Sequence, residues 1–529
     1  MDLWQQSSRA WIEAYKEIAV SSQKVYDSWS DTVWKTLGAR KDQNTENQSY
    51  SHHGDIYKKN NKKEEKKIRA LVLQGGGALG AFQAGAFKAL HEKLTKEDIQ
   101  NGNEGRPLFD IVAGTSIGAI NAAVLVSHVV ENKTWVGSAE KLVEFWEYLS
   151  CPTPDITKDS AAWKKEFDKN NKNNEKTAVS SPEAARRYYS VKEFLKSGVD
   201  KAYSPILPPK EDEKFFDSQN KRTLYDKHPL QKSLEKFAKF PIATNYEKGQ
   251  PRLLVVSTDV AEGKAVTFDS YEKDKDHILN DKETRKTVYE GFDGKQIVIE
   301  YDEGINIQHI MASASLPEFY EYEKINGREF WDGGILSNTP IRELIQAHKE
   351  FWQYKIGSKE LEDSILNEAN LAVPDLEIYL VNLWHSHDNN NSVPYDPDGI
   401  TERHLDIKSH DQYYVDESIL VTQYIHLIKK LLQLGNNKEE YNLKNQINKI
   451  LEDYTTSRYT AEKPNKYLDI IKAQFEITKL ETIERRDDID TVAGKIGDFT
   501  SETIKKLIKE GYESTRKKYP YLVFPAANS

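Results

Sequence analysis

A sharp turn is written into the chain at Gly114-Thr115-Ser116-Ile117-Gly118. It follows the short apolar run Phe109–Ala113 and opens the helix-length apolar run Ile117–Val130. Strand, G-x-S-x-G and helix in succession form the nucleophile-elbow pattern. So abrupt a turn forces strained dihedrals on the serine. Side chains on either side would collide, which calls for glycine at 114 and 118. The Ser116 hydroxyl then stands clear of the sheet at a helix N-terminus, whose dipole favours developing negative charge. Alone, the pentapeptide is equally consistent with a plain tight turn, so two further motifs decide.

The first lies one unit upstream. Ile68–Leu73 reads as a buried strand, Gln74-Gly75-Gly76-Gly77-Ala78-Leu79-Gly80 as a loop, and Ala81–Leu94 as a helix with small packing residues. Gly75, Gly77 and Gly80 satisfy the dinucleotide fingerprint G-x-G-x-x-G. That reading needs an acidic residue roughly 20 positions on, at the end of a second strand. Glu97 and Asp98 lie near that distance, but Thr95–Arg106 is polar and reads as no strand. The better account is an oxyanion hole. Bare amides of Gly75, Gly76 and Gly77 can converge on one point without side-chain obstruction, and each such donor is worth about 2.7–4 kcal/mol.

The second motif lies far downstream. Glu329-Phe330-Trp331 reads as extended and Asp332-Gly333-Gly334 breaks it. Pro340 then sits in the first turn of a helix capped by Asn338 or Thr339. An aspartate at a strand end, followed by two glycines, can approach another backbone closely, as a base for a serine hydroxyl must. The bland alternative is an Asx turn.

G-G-G-x-x-G after one strand, G-x-S-x-G after the next and D-G-G downstream, in this order, resemble the patatin-like phospholipase family. Ser313–Pro317 also looks like the family's Ala/Ser-rich segment ahead of the aspartate. The resemblance covers roughly Ile68–Leu383 and departs at Leu79, where the family often carries a basic residue. It implies a Ser-Asp dyad: Ser116 as nucleophile, Asp332 as proton acceptor, Gly75–Gly77 as oxyanion hole, with Gly80, Gly114, Gly118, Gly333 and Gly334 as motif glycines. It also implies an α/β fold, a mainly parallel sheet with helices on both faces. An ordinary aspartate, with a pKa near 3.9, is a poor base at neutral pH, so a desolvated site must lift it. His309, His385 and His387 are the candidates for a histidine-containing triad. No metal or organic cofactor is required, and His385, His387 and Asp388 lack a further ligand at matching spacing.

The rest of the 529 residues flanks this core. The N-terminal arm, 1–67, carries Trp4, Trp11, Ile18 and Val25 seven apart. Asp2–Leu37 reads as a helix with a wide aromatic face, suited to packing on protein or to lying on a lipid surface. A polar linker, 38–56, and a lysine-rich run, Lys58–Lys67, follow. The catalytic domain is expected over 68–385, with a polar insertion near 151–181 that reads as a lid. Strands are expected at Arg252–Thr258, Ala265–Phe268, Gln296–Tyr301 and Leu376–Leu383. Helices are expected at Ser138–Leu149, Pro182–Lys196, Leu224–Phe240 and Ile305–Ala314. Residues 386–529 read as a helical accessory region, with helices at Tyr413–Leu434, Glu439–Thr455, Tyr467–Ile477 and Thr491–Glu510. The terminal helices are candidate oligomer contacts.

Net charge of -10 argues against a nucleic-acid partner. A single cysteine, Cys151, excludes an intrachain disulfide and fits a reducing compartment. Mean hydropathy is -0.73, and no run of about 18 apolar residues or secretory signal is evident, so a cytoplasmic protein is expected. The expected activity is phospholipase A-type ester hydrolysis through an acyl-enzyme, at a transiently bound membrane or lipid-droplet surface. The alternatives are hydrolysis of a storage lipid or polyester reached through the aromatic arm, and a non-catalytic lipid-binding or scaffolding protein.

Overall fold

The computed structural model describes residues 67–154, 182–206, 223–272, 284–357, 360–361, 373–384, 397–432, 438–453, 467, 475–485 and 494–517. The aromatic helix at 2–37 with Trp4 and Trp11, the linker, the basic run up to Lys66, most of the insertion (155–181), and His385, His387 and Asp388 lie outside the described residues.

The chain runs β1 (Ile68–Leu73), α1 (Ala81–Gln100), β2 (Ile111–Thr115), α2 (Ile117–Asn132), α3 (Ser138–Leu149), α4 (Pro182–Ser197) and α5 (His228–Phe237). It continues through β3 (Arg252–Asp259), β4 (Lys264–Asp269), β5 (Lys286–Glu290), β6 (Gln296–Glu300), α6 (Ile307–Ser313), β7 (Glu323–Ile325) and β8 (Arg328–Asp332). The last stretch holds α7 (Ile341–Ile356), β9 (Leu376–Asn382), α8 (Pro397–His410), α9 (Gln412–Leu432), α10 (Lys438–Asp453), β10 (Ile477–Glu484) and α11 (Ser501–Arg516).

β10, β9, β1, β2 and β3 form a parallel sheet in that order. β1 and β2 are buried along their whole length, as apolar runs without alternation require when both faces are covered. Successive side chains then serve opposite cores. Leu71, Leu73, Val112, Val255 and Val381 pack with α1, α2 and α3. Ala70, Val72, Ala113, Leu254 and Leu380 pack with Ile341 and Leu344 of α7 and Val415 of α9. The fold is therefore α/β, a mainly parallel sheet with helices on both faces.

The pairing around β3 is what positions the site. β4 runs antiparallel along one edge of β3, from Leu254 to Asp259. β2 pairs with Arg252–Val256 and β8 with Ser257–Asp259, so both must lie on the other edge. β2 is parallel to β3 and β8 antiparallel. Their carboxyl ends therefore meet head to head: Thr115 is opposite Val256, and Asp332 opposite Ser257, the next residue.

Several expectations change. β5 and β6 form a hairpin, whose first strand the sequence reading did not include. α5 begins only at His228, because Tyr225–Asp226 pairs with Ser204–Pro205 as a short strand. The helix expected at Thr491–Glu510 starts at Ser501 behind a Thr500 cap, because Gly494 is in the left-handed region and a tight turn follows it. The expected helix at Tyr467–Ile477 lies mostly outside the described residues, and at Ile477 the chain is already entering β10.

The C-terminal part is also no mere appendage. β10 extends the sheet beside β9, and α11 packs on α1 with backbones in contact. A Cβ on Gly85 would lie 1.8 Å from the Ile508 carbonyl oxygen, and one on Gly511 2.0 Å from that of Phe82. The described residues all belong to one compact unit.

This contact makes a sharp prediction. Gly511→Val drives a side chain into the backbone of α1 and should cost roughly 3 kcal/mol or more, seen as a melting point several degrees lower. Gly105→Val, where an added Cβ has nothing within 4 Å, should melt like the parent. Equal melting of the two variants would contradict the close packing of α11 on α1.

Candidate active site

Ser116 links β2 to α2 at φ 56° and ψ -124°, a conformation that L side chains rarely adopt. The strain is held from several sides. A Cβ on Gly118 would stand 2.1 Å from the Leu73 carbonyl oxygen, and one on Gly114 2.3 Å from that of Gly118. The first turn of α2 can therefore seat against the end of β1 only with glycine at both positions. The Ser116 amide donates to Ser313 Oγ (2.9 Å), whose hydroxyl donates to the Val256 carbonyl (2.5 Å). The Ser116 carbonyl accepts from Ala119 and Ile120 within α2 (3.0 and 3.2 Å).

Asp332, the last residue of β8, is fixed at three points. Its amide donates to the Ser315 carbonyl (2.9 Å), its carbonyl accepts from Thr258 Oγ1 (3.0 Å), and its Oδ1 accepts from the Gly334 amide (2.7 Å). That last bond is the Asx turn weighed as the bland alternative. It coexists with an interaction of the carboxyl with the Ser116 side chain that favours the charged carboxylate. Gly333 passes so close to β3 that a Cβ would stand 2.3 Å from the Val256 carbonyl oxygen.

Burial dominates the charge balance at this carboxylate. Desolvation pushes Asp332 up to about 6, against the opposing pull of the Ser116 side chain, the Gly334 amide and the Lys227 charge. The difficulty of an ordinary aspartate acting as base at neutral pH is thereby reduced.

The glycine loop runs beside the serine: a Cβ on Gly75 would stand 3.0 Å from Ser116 Cβ. The three glycines are not equivalent. The Gly75 amide donates to the Asn338 carbonyl (3.2 Å), and its carbonyl accepts from Trp384 Nε1 (2.6 Å) and Asn338 Nδ2 (3.3 Å). Its amide is spent on the scaffold, which removes Gly75 from the expected set of oxyanion donors. Among the described residues the amides of Gly76 and Gly77 have no partner. Gly77 has φ +56°, and a Cβ there would lie 2.5 Å from the Ile496 carbonyl oxygen. Gly80 sits against Ile117 and Trp146, and Gly334 against Asn338.

The side chains behind the loop were not legible as site residues. Gln74 accepts from the amides of Leu383 and Trp384 through Oε1 (2.7 and 3.2 Å) and donates to Thr339 Oγ1 through Nε2 (2.7 Å). Asn338 and Thr339 are thus engaged with the loop rather than capping α7, whose N-cap is Pro340. Gln74 was visible as the residue before the glycines, but nothing marked Trp384 beyond its place after the last core strand. Lys227 was equally unmarked, and Ser313 and Ser315 were marked only as part of the Ala/Ser-rich segment ahead of the aspartate.

Two rivals can be weighed on geometry. Asp98 is buried in an ion pair with Arg69 (2.5 Å), at the start of β1, whereas the glycine loop follows the end of that strand. The acidic residue the dinucleotide reading required is therefore at the wrong end of the sheet. His309 is walled by Phe268 and Tyr301, its Nδ1 accepts from the Asn306 amide (2.9 Å), and burial lowers it to about 4. Its hydrogen bond belongs to the α6 cap.

A family model, patatin-like phospholipase, matches residues 71–345. Among solved structures the chain is similar to VipD from Legionella pneumophila, at 13% identity and a TM-score of 0.26. The likeness covers 85% of this chain and 66% of that one, just under two thirds of its length. No curated protein matches the sequence.

The desolvated carboxylate has a consequence for stability. The folded pKa of about 6 lies above the ordinary 3.8, so ionisation opposes folding. The penalty is absent below the ordinary value, grows between the two and is complete above about pH 6. Asp332→Asn should therefore be more stable than the parent at pH 8, by on the order of 2 kcal/mol, with the gain fading towards pH 4. Chemical denaturation at both pH values reads this directly, and a gain independent of pH would refute it.

Proposed function

The chain belongs to the patatin-like phospholipase family, and from that premise we propose that it releases fatty acid from phospholipid through a Ser116–Asp332 dyad and an acyl-enzyme. One observation carries the reading: a strained, hydrogen-bonded serine faces a buried aspartate whose proton affinity is raised into the working range.

In the first step the Ser116 hydroxyl attacks the ester carbonyl while Asp332 takes its proton. Negative charge develops on the carbonyl oxygen, where the free amides of Gly76 and Gly77 receive it. The tetrahedral species collapses, Asp332 returns the proton to the leaving alcohol, and the acyl group stays on Ser116. Water then attacks with Asp332 again as base, releasing fatty acid and restoring the serine.

None of these steps calls for a metal or organic cofactor. The substrate is met at a lipid surface, by transient contact, in the cytoplasm. Among the described residues no helix is long and apolar enough to cross a membrane, which fits a peripheral encounter.

Hydrolysis of a fluorogenic acyl ester and of phospholipid vesicles tests the mechanism. Ser116→Ala and Asp332→Asn should each lower kcat/KM by at least about 10³-fold with circular dichroism unchanged. A fluorophosphonate should label the parent and not Ser116→Ala. Substantial turnover by Ser116→Ala would end the proposal.

The glycine loop gives an independent check. Gly77→Ala, forced against Ile496 at a left-handed φ, should displace its amide and lower kcat by about 10² with little change in KM. A selective rise in KM would instead assign the loop to substrate binding.

A further inference from the structure

Lys227, at the N-cap of α5, is a charged residue drawn into the protein beside the site. Its side chain is only 11% exposed. The ammonium group has three acceptors: the Ser315 hydroxyl, the Glu321 carbonyl (2.7 Å) and Glu323 Oε1 (2.8 Å). Ser315 is also the residue whose carbonyl receives the Asp332 amide, so one residue tethers both the lysine and the aspartate. Its hydroxyl is itself oriented, donating to the Met311 carbonyl of α6 (2.7 Å).

All three donors of the ammonium are occupied, so it is not an open contact for a substrate phosphate. Its charge is what reaches the site. Glu323 on β7, Glu321 ahead of it and Asp332 on β8 face the ammonium. Lys227, the Tyr320 phenol and the Ser116 hydroxyl face the Asp332 carboxyl. Burial holds the Tyr320 phenol protonated, which leaves Lys227 as the cation whose field acts on Asp332 in this set.

We propose that Lys227 is the positioning residue for Asp332, holding the Ser315 segment that tethers the aspartate in place and setting a buried positive charge beside the dyad, with Glu323 setting how much of that charge is felt. This rests on the dyad of the preceding section. The charge acts through space and the tether through Ser315, so the lysine touches neither substrate nor reacting atoms.

The test is the pH dependence of kcat/KM between pH 4 and 9 for four proteins. In Lys227→Met the acid-limb midpoint should move up by roughly half to one pH unit, because the carboxylate loses its cation. In Glu323→Gln it should move down, because the lysine charge is no longer offset. Lys227→Arg, which keeps the charge, should hold the parent midpoint. A purely structural role would lower activity at every pH and leave all midpoints together. Unmoved midpoints, or two variants shifting the same way, would overturn the proposal.

Two controls separate its failure from that of the dyad. If Ser116→Ala and Asp332→Asn retain activity, the dyad is wrong whatever Lys227 does. If they are inactive and the midpoints stay put, only the role of Lys227 is wrong. A second readout needs no turnover. The gain in melting temperature on Asp332→Asn at pH 8 should be larger in the Lys227→Met background than in the parent, and the difference should vanish at pH 4. Equal gains would likewise overturn the proposal. Should Lys227→Met fail to fold, the downward shift in Glu323→Gln decides alone, since that variant keeps the lysine.

Discussion

One edge of β3 carries two strand ends. β2 arrives parallel and stops opposite Val256; β8 arrives antiparallel and stops opposite Ser257. Backbone pairing fixes each strand to a fraction of a residue, because a slip of one position would turn every side chain to the other face. Ser116 and Asp332, separated by most of the catalytic region in sequence, are therefore brought together by ladder register rather than by side-chain affinity. Ser313 and Ser315, on the segment ending α6, tie the two ends further, one to the serine amide and the other to the aspartate amide.

The second constraint concerns the glycine loop. Glycine runs have no side chains to hold them and lose more conformational freedom on folding than other residues. Here the holding groups come from far along the chain. Asn338 and Trp384 bind Gly75, Gln74 is bonded to residues 339, 383 and 384, and Ile496 lies under Gly77. Trp384 and Ile496 lie beyond residue 345, where the family match ends. The same C-terminal stretch leads into α11, packed on the helix that the loop opens. The carboxyl-terminal part thus supports the geometry of the first motif.

Electrostatics completes the arrangement. A buried carboxylate is costly to ionise, and that cost raises the proton affinity of Asp332 towards neutral pH. Complete desolvation would go too far and hold it neutral. The Ser116 side chain, the Gly334 amide and the charge of Lys227 pull the other way. The charge state of Asp332 depends on the balance between these terms.

The three motifs and the strand–loop–helix units around them could be read from the chain, because each is local. Glycine spacing reports where backbone must pass backbone, and the apolar runs of β1 and β2 report burial on both faces. The candidate oxyanion donors could be narrowed to three consecutive glycines and no further, since which amide is free depends on Asn338, 263 positions from Gly75. Lys227 carried no sequence signal, because a lysine before a helix is ordinarily solvated and only the return of the 315–323 segment buries it. The strand β10 was missed for the same reason: its run Ile477–Glu484 mixes charge with apolar residues, and only the open edge of β9 gives it a partner. By itself the sequence determined which residues can turn, cap and react. The tertiary structure decided which of them meet, because register, burial and hydrogen-bond competition exist only once distant segments share a sheet edge.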